Sequence, residues 1–310
     1  MNPDPTHEDP EALDPRAVRR AFARAAATYD SAAVLQREVG ARMAERLDVI
    51  RIDPRAILDA GCGTGDALPE LGMRYPAAQR TALDIALPMA SLARQRHGER
   101  RSAMARLAAS LRGKEAPPVH FVAGDIAALP FAAASFDLVW SNLALQWVND
   151  TGGALAELHR TLRVGGLLMF TTLGPDTLRE LRAAFRRVDA RPHVSRFLDM
   201  HDVGDLLVHA GFADPVMHME RLTLTYREPR AMMRDLKLLG ATNASRARRR
   251  GLFGRERWQR ALSALDAMRV DDRIPATFEI VYGHAWKAAP TRTAEGLPIV
   301  RLERGSRRGA

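Results

Sequence analysis

Ile57-Leu58-Asp59-Ala60-Gly61-Cys62-Gly63-Thr64-Gly65-Asp66 decides how the rest of the chain is read. A short apolar run passes into a turn with glycine at every second position. Glycine has no Cβ, so such a turn can take positive φ and bring its backbone against a ligand. The spacing narrows the ligand. A dinucleotide fingerprint, G-x-G-x-x-G, requires a third glycine at position 66. Asp66 stands there and would set its charge against a pyrophosphate. A phosphate-cradling P-loop requires Gly-Lys-Ser/Thr, and no lysine follows. The turn therefore suits a nucleoside-like ligand without phosphate, S-adenosylmethionine (SAM) foremost.

Around this turn the chain alternates. Ala56–Cys62, Arg80–Ile85, Val119–Ala123, Phe136–Ser141 and Leu167–Thr172 read as strands. Helical stretches over Asp66–Met73, Pro88–Leu111 and Thr151–Leu162 separate them. This order predicts an α/β fold with a doubly wound, mostly parallel sheet and helices on both faces. Leu138-Val139-Trp140 and Leu167-Leu168-Met169-Phe170 are apolar throughout, as strands buried on both faces are. Upstream, residues 15–50 read as helical, with Phe22, Ala26, Tyr29, Ala33 and Val39 on or near one face. Downstream, Asp176–Asp189, His201–Ala210, Pro229–Leu239 and Arg255–Arg269 read as helices. His218–Tyr226 and Phe278–Lys287 complete a seven-stranded sheet, the former with one wetter face. The acidic, proline-rich residues 1–14 and the basic tail 289–310 are expected to be disordered. The predicted domain is thus 15–288: a helical lid over 15–50, a core over 51–175 and a substrate-side half over 176–288.

In an open α/β sheet, ligands bind beyond the carboxyl ends of the strands where the strand order reverses. Three such ends carry acids. Asp59 ends the first strand and Asp84 the second; a carboxylate there has two acceptor oxygens for two ribose hydroxyls. Asp125, in Ala123-Gly124-Asp125-Ile126, ends the third and can accept from an adenine amino group, while the Ile126 N–H meets a ring nitrogen. Ser141-Asn142-Leu143 ends the fourth, near the methionine part. Read alone, Asp84 also suits a helix cap before Pro88, Asp125 a turn cap, and Asp66 a helix start. The ordered conjunction of glycine turn, acid and acid is what favours SAM.

The chain has 310 residues, 46% of them hydrophobic, enough for one large α/β domain with a sizeable core. Its single cysteine, Cys62, excludes an intrachain disulfide and fits a reducing, cytoplasmic setting. No apolar run approaches the length of a membrane span, and the N-terminus resembles neither a signal nor a transit peptide. The histidines show no metal-ligand spacing, so no metal is expected. A net charge of +9 favours an acidic partner, or reflects an arginine-rich composition.

From Ala56 to Gly174 the chain resembles the class I SAM-dependent methyltransferases, in LDAGCGTGD, Leu83-Asp84 and AGDIAALPF at 123–131. FDLVWSNLALQWVND at 136–150 and LRVGGLLMFTTLGPDTLREL at 162–181 are more specific. They resemble the malonyl-acyl-carrier-protein O-methyltransferase family of biotin synthesis. Phe22-Ala23-Arg24-Ala25-Ala26 with Tyr29-Asp30, Leu35-Gln36-Arg37-Glu38 and Leu238-Leu239-Gly240-Ala241-Thr242-Asn243 extend the likeness to about residues 18–288. Where that family often has serine after the second-strand Asp-Ile pair, this chain has Ala86.

The resemblance implies SAM as cofactor, S-adenosylhomocysteine as product, and an acyl-carrier protein bearing a malonyl thioester as partner. It implies cofactor contacts from Tyr29, Asp59, Gly61, Gly63, Gly65, Asp84, Ile85, Asp125, Ile126, Asn142 and Leu143, with residues 15–50 folding over as a lid. The nucleophile is then a carboxylate, already ionised near neutral pH, and no general base is expected. Tyr29 and Trp147 are positioning candidates, though each also suits plain packing. A carboxylate substrate calls for a cationic anchor. Lys237, Arg246, Arg248, Arg249 and Arg250 are candidates, in a region where residues 246–260 hold seven arginines and one acid. That run is also consistent with a solvated loop. Two other readings remain open. A nucleic-acid methyltransferase suits the charge but lacks an Asn/Asp-Pro-Pro-Tyr/Phe motif for a flipped base. A non-methylating complex I assembly factor of the same fold shares the LQWVND phrase, but a mitochondrial presequence is expected there.

Overall fold

The computed structural model describes residues 11–98, 117–249, 251 and 253–290. Arg250, the expected helix beyond residue 98 and the tail from 291 lie outside the described residues.

Seven strands form one sheet in the order β3-β2-β1-β4-β5-β7-β6. They are β1 (Ala56–Ala60), β2 (Gln79–Asp84), β3 (Val119–Ala123), β4 (Phe136–Ser141), β5 (Leu162–Leu173), β6 (Ala213–Tyr226) and β7 (Ile274–Trp286). The first five are parallel to one another, and β7 runs antiparallel to both β5 and β6. Strand order turns at β1, which is flanked by β2 on one side and β4 on the other. The mouth of the fold is therefore at the ends of β1 and β4.

Period-two alternation divides the core into two layers. Ile57, Leu138, Trp140, Leu167 and Met169 face one layer, while Leu58, Val139, Leu168 and Phe170 face the other. All nine are nearly or fully buried, which is why these strands read as unbroken apolar runs. The outer strand β6 instead alternates half-buried and exposed residues along its length, as its sequence pattern predicts.

The observed strands β5, β6 and β7 begin earlier than their sequence patterns suggest. Gly165-Gly166 and Pro275 interrupt the local signal there, yet pairing with neighbouring strands carries the ladder through.

Helices α1 (Pro15–Ala25), α2 (Tyr29–Ala32) and α3 (Val34–Arg46) form the N-terminal segment. α4 (Leu68–Arg74) follows β1, α5 (Leu87–His97) follows β2, and α6 (Thr151–Thr161) precedes β5. The second half adds α7 (Arg179–Arg186), α8 (Met200–His209), α9 (Pro229–Leu238) and α10 (Arg255–Asp266). Among the described residues no helix is long and apolar enough to cross a membrane.

The expectation of disorder through residue 14 is corrected at residues 11–14. Leu13 is 6% exposed and bridges Ser245. Its N–H donates to Asn149 Oδ1 at 2.7 Å, and its carbonyl accepts from Asn149 Nδ2 at 2.9 Å. Asp14 caps α1 by accepting from the Arg16 and Ala17 N–H groups. The Leu13–Asn149 bonds span 136 residues of sequence, so local composition carries no sign of them.

Candidate active site

The turn after β1 has φ of +86° at Gly61, +54° at Gly63 and +88° at Gly65. Such angles are strained for residues with a Cβ. At Gly61 space is also decisive, because a Cβ there would lie 2.3 Å from the Ala144 Cβ. The Gly61 and Cys62 N–H groups donate to the Leu83 carbonyl at 2.8 and 2.9 Å, tying the turn to β2. Asp84, at the end of β2, accepts from Gly63 N–H at 2.9 Å through Oδ2 and from Ala86 N–H at 2.8 Å through Oδ1. Asp84 thus braces the turn rather than capping α5, whose N-cap is Ala86.

The acids here are held in an environment that disfavours their charge. Asp59 is 3% exposed and its Oδ2 has no hydrogen-bond partner. Burial first, then the nearby Asp84 and Asp66, pushes the Asp59 carboxyl up to about 8. Burial pushes Asp84 up to about 6 despite its two backbone donors. A site with an orphaned buried carboxyl oxygen and a second buried carboxyl is chemically suited to a cation with N–H or O–H donors. The same burial, with Asp59 and Asp84 nearby, raises the Cys62 thiol well above its usual value, which leaves it inert as a nucleophile.

Three adjoining cavities open at this end of the sheet. One of about 270 Å³ is lined by Gly61, Gly63, Asp84, Ile85, Asp125, Ile126, Asn142, Leu143, Tyr29 and Trp147. Another of about 380 Å³ is lined by Asp59, Gly61, Gly63, Asn142, Gln36 and Tyr29, among others. A third, of about 970 Å³, lies between the N-terminal helices and the second half of the chain. It shares Phe22, Tyr29, Leu143 and Trp147 with the first cavity, and Tyr29 and Gln36 with the second. Tyr29 therefore stands where all three meet.

The N-terminal helical segment reaches this position through polar ties. Thr64 Oγ1 donates to Asp30 Oδ1 at 2.6 Å, and Arg96 pairs with the same Asp30. Asn142 Nδ2 donates to the Gln36 carbonyl at 2.9 Å, and Asn142 Oδ1 accepts from Thr171 Oγ1 at 2.7 Å. The Asn142 amide is thus committed to joining α3, β4 and β5. Leu143 sits at φ +49°, held by its N–H donating to Thr171 Oγ1 at 2.9 Å. Trp147 packs edge-to-face on Phe22, centroids 5.1 Å apart. Burial, with Asp84 and Asp30 next, raises the Tyr29 phenol, so it stays protonated. Asp125 Oδ1 accepts from the Ala127 N–H at 2.9 Å. Gly65 lines none of the three cavities. A Cβ there would meet His97 Cδ2 at 2.7 Å, so Gly65 serves the packing of the turn on α5.

A match to a methyltransferase domain family covers residues 58–170. A malonyl-[acyl-carrier protein] O-methyltransferase from Gallionella capsiferriformans is 51% identical over 289 residues, covering 93% of this chain and 96% of that protein. One of the same name from Laribacter hongkongensis is 55% identical over 279 residues, covering 89% and 90%. The chain belongs to the malonyl-[acyl-carrier protein] O-methyltransferase family. Among solved structures, the YcgJ protein from Bacillus subtilis matches with a TM-score of 0.53 at 15% identity, over 82% of this chain and 99% of that one. A putative methyltransferase from Bacillus halodurans matches with a TM-score of 0.53 at 16% identity, over 81% and 99%. At such identities the likeness is one of fold, and it agrees with the sheet described above. The chain is a methyltransferase of the class I fold, as its glycine turn and two acids suggested.

On the side away from the turn, the residues expected to anchor substrate divide. Lys237, Arg248 and Arg249 line the 970 Å³ cavity, whereas Arg246 is exposed outside its lining. Arg248 also holds structure. Its Nη2 pairs with Asp14 Oδ2 at 3.2 Å, and its Nη1 donates to the Ser245 carbonyl at 2.9 Å. Arg230 and Arg234 line the same cavity and were not singled out from sequence, although their spacing with Lys237 puts all three on one face of α9. Also unforeseen is an aromatic wall of Phe185, Phe253 and Trp258 around His193.

Proposed function

We propose that the protein transfers a methyl group from SAM to the free carboxylate of a malonyl thioester borne on an acyl-carrier protein. The observation that carries this reading is the meeting of the cofactor-side cavities with a large, cation-rimmed cavity at Tyr29, in a chain of this family. When bound, the cofactor supplies a methyl group on a cationic sulfur, whose transfer to a carboxylate oxygen leaves a neutral thioether and a methyl ester.

The residues divide this work by position. Asp84 and Asp125, at the ends of β2 and β3, offer acceptors to ribose hydroxyls and an adenine amino group. Ile126 supplies its backbone N–H beside Asp125. Asp59 offers its orphaned oxygen to an ammonium group. Gly61 and Gly63 permit close backbone approach, and Asn142 and Leu143 close the floor. No side chain has to remove a proton, because a malonyl carboxylate with an ordinary pKa of about 4 is ionised at neutral pH. The Tyr29 phenol, being protonated, can donate a hydrogen bond and exclude water. Phe22 and Trp147, packed edge-to-face, line the same junction. Catalysis on this account is positioning and desolvation. Arg230, Arg234, Lys237, Arg248 and Arg249 give the outer cavity a positive rim suited to an acidic carrier protein and its phosphate.

The test uses the whole protein with methyl-labelled SAM and malonyl-carrier protein, with succinyl-carrier protein and bulk RNA as controls. Base-labile label on the malonyl protein alone is expected. Label on RNA with none on the malonyl protein would overturn the reading.

A further inference from the structure

The 970 Å³ cavity is lined by one member, His193, of a polar pair that the methyl-transfer chemistry does not use. His193 lies in the loop between α7 and α8 and lines that cavity. Its Nε2 is 3.3 Å from Asp189 Oδ2. The two side chains are only 17% and 10% exposed. The ring is also fixed in orientation. It stacks on Phe185 at 4.3 Å with an interplanar angle of 29°, and Phe253 meets it edge-on at 5.3 Å.

Asp189 determines which ring nitrogen carries the proton. Burial pushes its carboxyl up, but the Arg191 N–H, His193 and Arg249 together hold it below the usual carboxylate range. An ionised carboxylate only accepts, so Nε2 donates to it. In the neutral ring Nδ1 is then a lone-pair acceptor. Among the described residues Nδ1 has no hydrogen-bond partner.

This inference rests on the function proposed above. We infer that His193 Nδ1 accepts a hydrogen bond from an amide N–H of the pantetheine-type arm carrying the malonyl group, so that His193 reads the arm and not the acyl group. A malonyl thioester has only acceptors, a carboxylate and a thioester carbonyl, and would meet the Nδ1 lone pair unfavourably. The arm has secondary amides and apolar methylenes, which suit one acceptor set among Phe185, Phe253 and Trp258. Arg249, 3.8 Å from Asp189, is the charged group that braces the pair.

The test compares wild type with His193→Phe, which keeps the stacking and removes both nitrogens. His193→Asn returns a polar atom near Nδ1, and Asp189→Asn removes the charge that sets the tautomer. Each is assayed on malonyl-carrier protein and on malonyl S-ethyl thioester, which lacks the arm. His193→Phe is expected to raise KM for the carrier substrate about tenfold with kcat nearly unchanged, and to leave kcat/KM on the S-ethyl substrate within about twofold. Asn at 193 recovers part of the loss, and Asp189→Asn shows an intermediate rise. Equal losses on both substrates, or none on either, overturn the inference. If the wild-type protein methylates neither thioester, the proposed function fails by itself, and pantetheine binding by calorimetry then decides. Binding lost in His193→Phe sustains the arm contact; no wild-type binding, or equal binding by both, overturns it.

Discussion

Asp84 Oδ2 accepts the Gly63 N–H at 2.9 Å, so the acid ending one strand holds the glycine turn leaving the next. The Asp84 carboxylate has further lone pairs for a ligand while this contact sets the shape of the turn. Turn and acid are one device, and disturbing either should disturb the cofactor site.

Gly61→Ala tests the turn. The new Cβ would lie 2.3 Å from Ala144 Cβ at a φ of +86°. We expect SAM affinity to fall at least about tenfold and stability by about 2–4 kcal/mol. Gly165→Ala is the control. Its φ is +80° but nothing lies within 4 Å, so it should cost about 1–2 kcal/mol and leave affinity unchanged. Thermal melts and SAM titration read both.

Asp59 and Asp84 predict a pH dependence of ligand-free stability. Their carboxyls sit at about 8 and about 6 in the folded protein, above the ordinary value near 3.9. The folded state thus binds more protons than the unfolded one between about pH 4 and pH 8. Stability from these groups is full below that window and is lost as pH rises through it. Asp59→Asn should flatten the upper part of the fall, seen in melting temperatures at pH 6 and pH 8. It should also weaken SAM about tenfold or more by removing the charged acceptor. In wild type, SAM binding should release protons at pH 7, visible as a buffer-dependent calorimetric enthalpy.

Tyr29 separates positioning from base catalysis. Tyr29→Phe keeps the ring where the three cavities meet, and kcat should stay within about threefold of wild type. Tyr29→Ala opens the junction to water and should lower kcat about a hundredfold. A loss in Phe as large as in Ala would point to the hydroxyl as a proton acceptor.

The positive rim should act on the carrier and not on SAM. Reversing Arg230, Arg234 and Lys237 to Glu is expected to raise KM for malonyl-carrier protein about tenfold or more at low salt, shrinking as salt screens the charge. SAM affinity should be unchanged. These three residues test the rim more cleanly than Arg248, whose guanidinium also holds Asp14.

The gathering of Gly61, Asp84 and Asp125 at one end of the sheet was legible because its signals are local. Asp84 ends a strand, and Gly61 and Asp125 lie just past one; each strand is readable from its own few residues, and the parallel order then brings their ends together. The N-terminal helices were legible for the same reason, though not their breaks at Thr28 and Ala33, where Thr28 Oγ1 donates to the Ala25 and Leu238 carbonyls. The substrate side was not. Its wall joins Phe185 and His193 to Phe253 and Trp258 across some 70 residues of sequence, and no periodicity announces that meeting. Gly65 and Asn142 show the converse limit. Both stand in cofactor-site phrases, yet Gly65 packs against α5 and the Asn142 amide is committed to α3 and β5.

Intact-mass measurement of malonyl-carrier protein after incubation with the protein and SAM tests the central claim most directly, with succinyl-carrier protein in the same mixture. The account predicts the gain of one methyl group on the malonyl species alone, lost from the carrier together with the acyl group in mild base. An unchanged malonyl species, or a methyl that resists base, would contradict it.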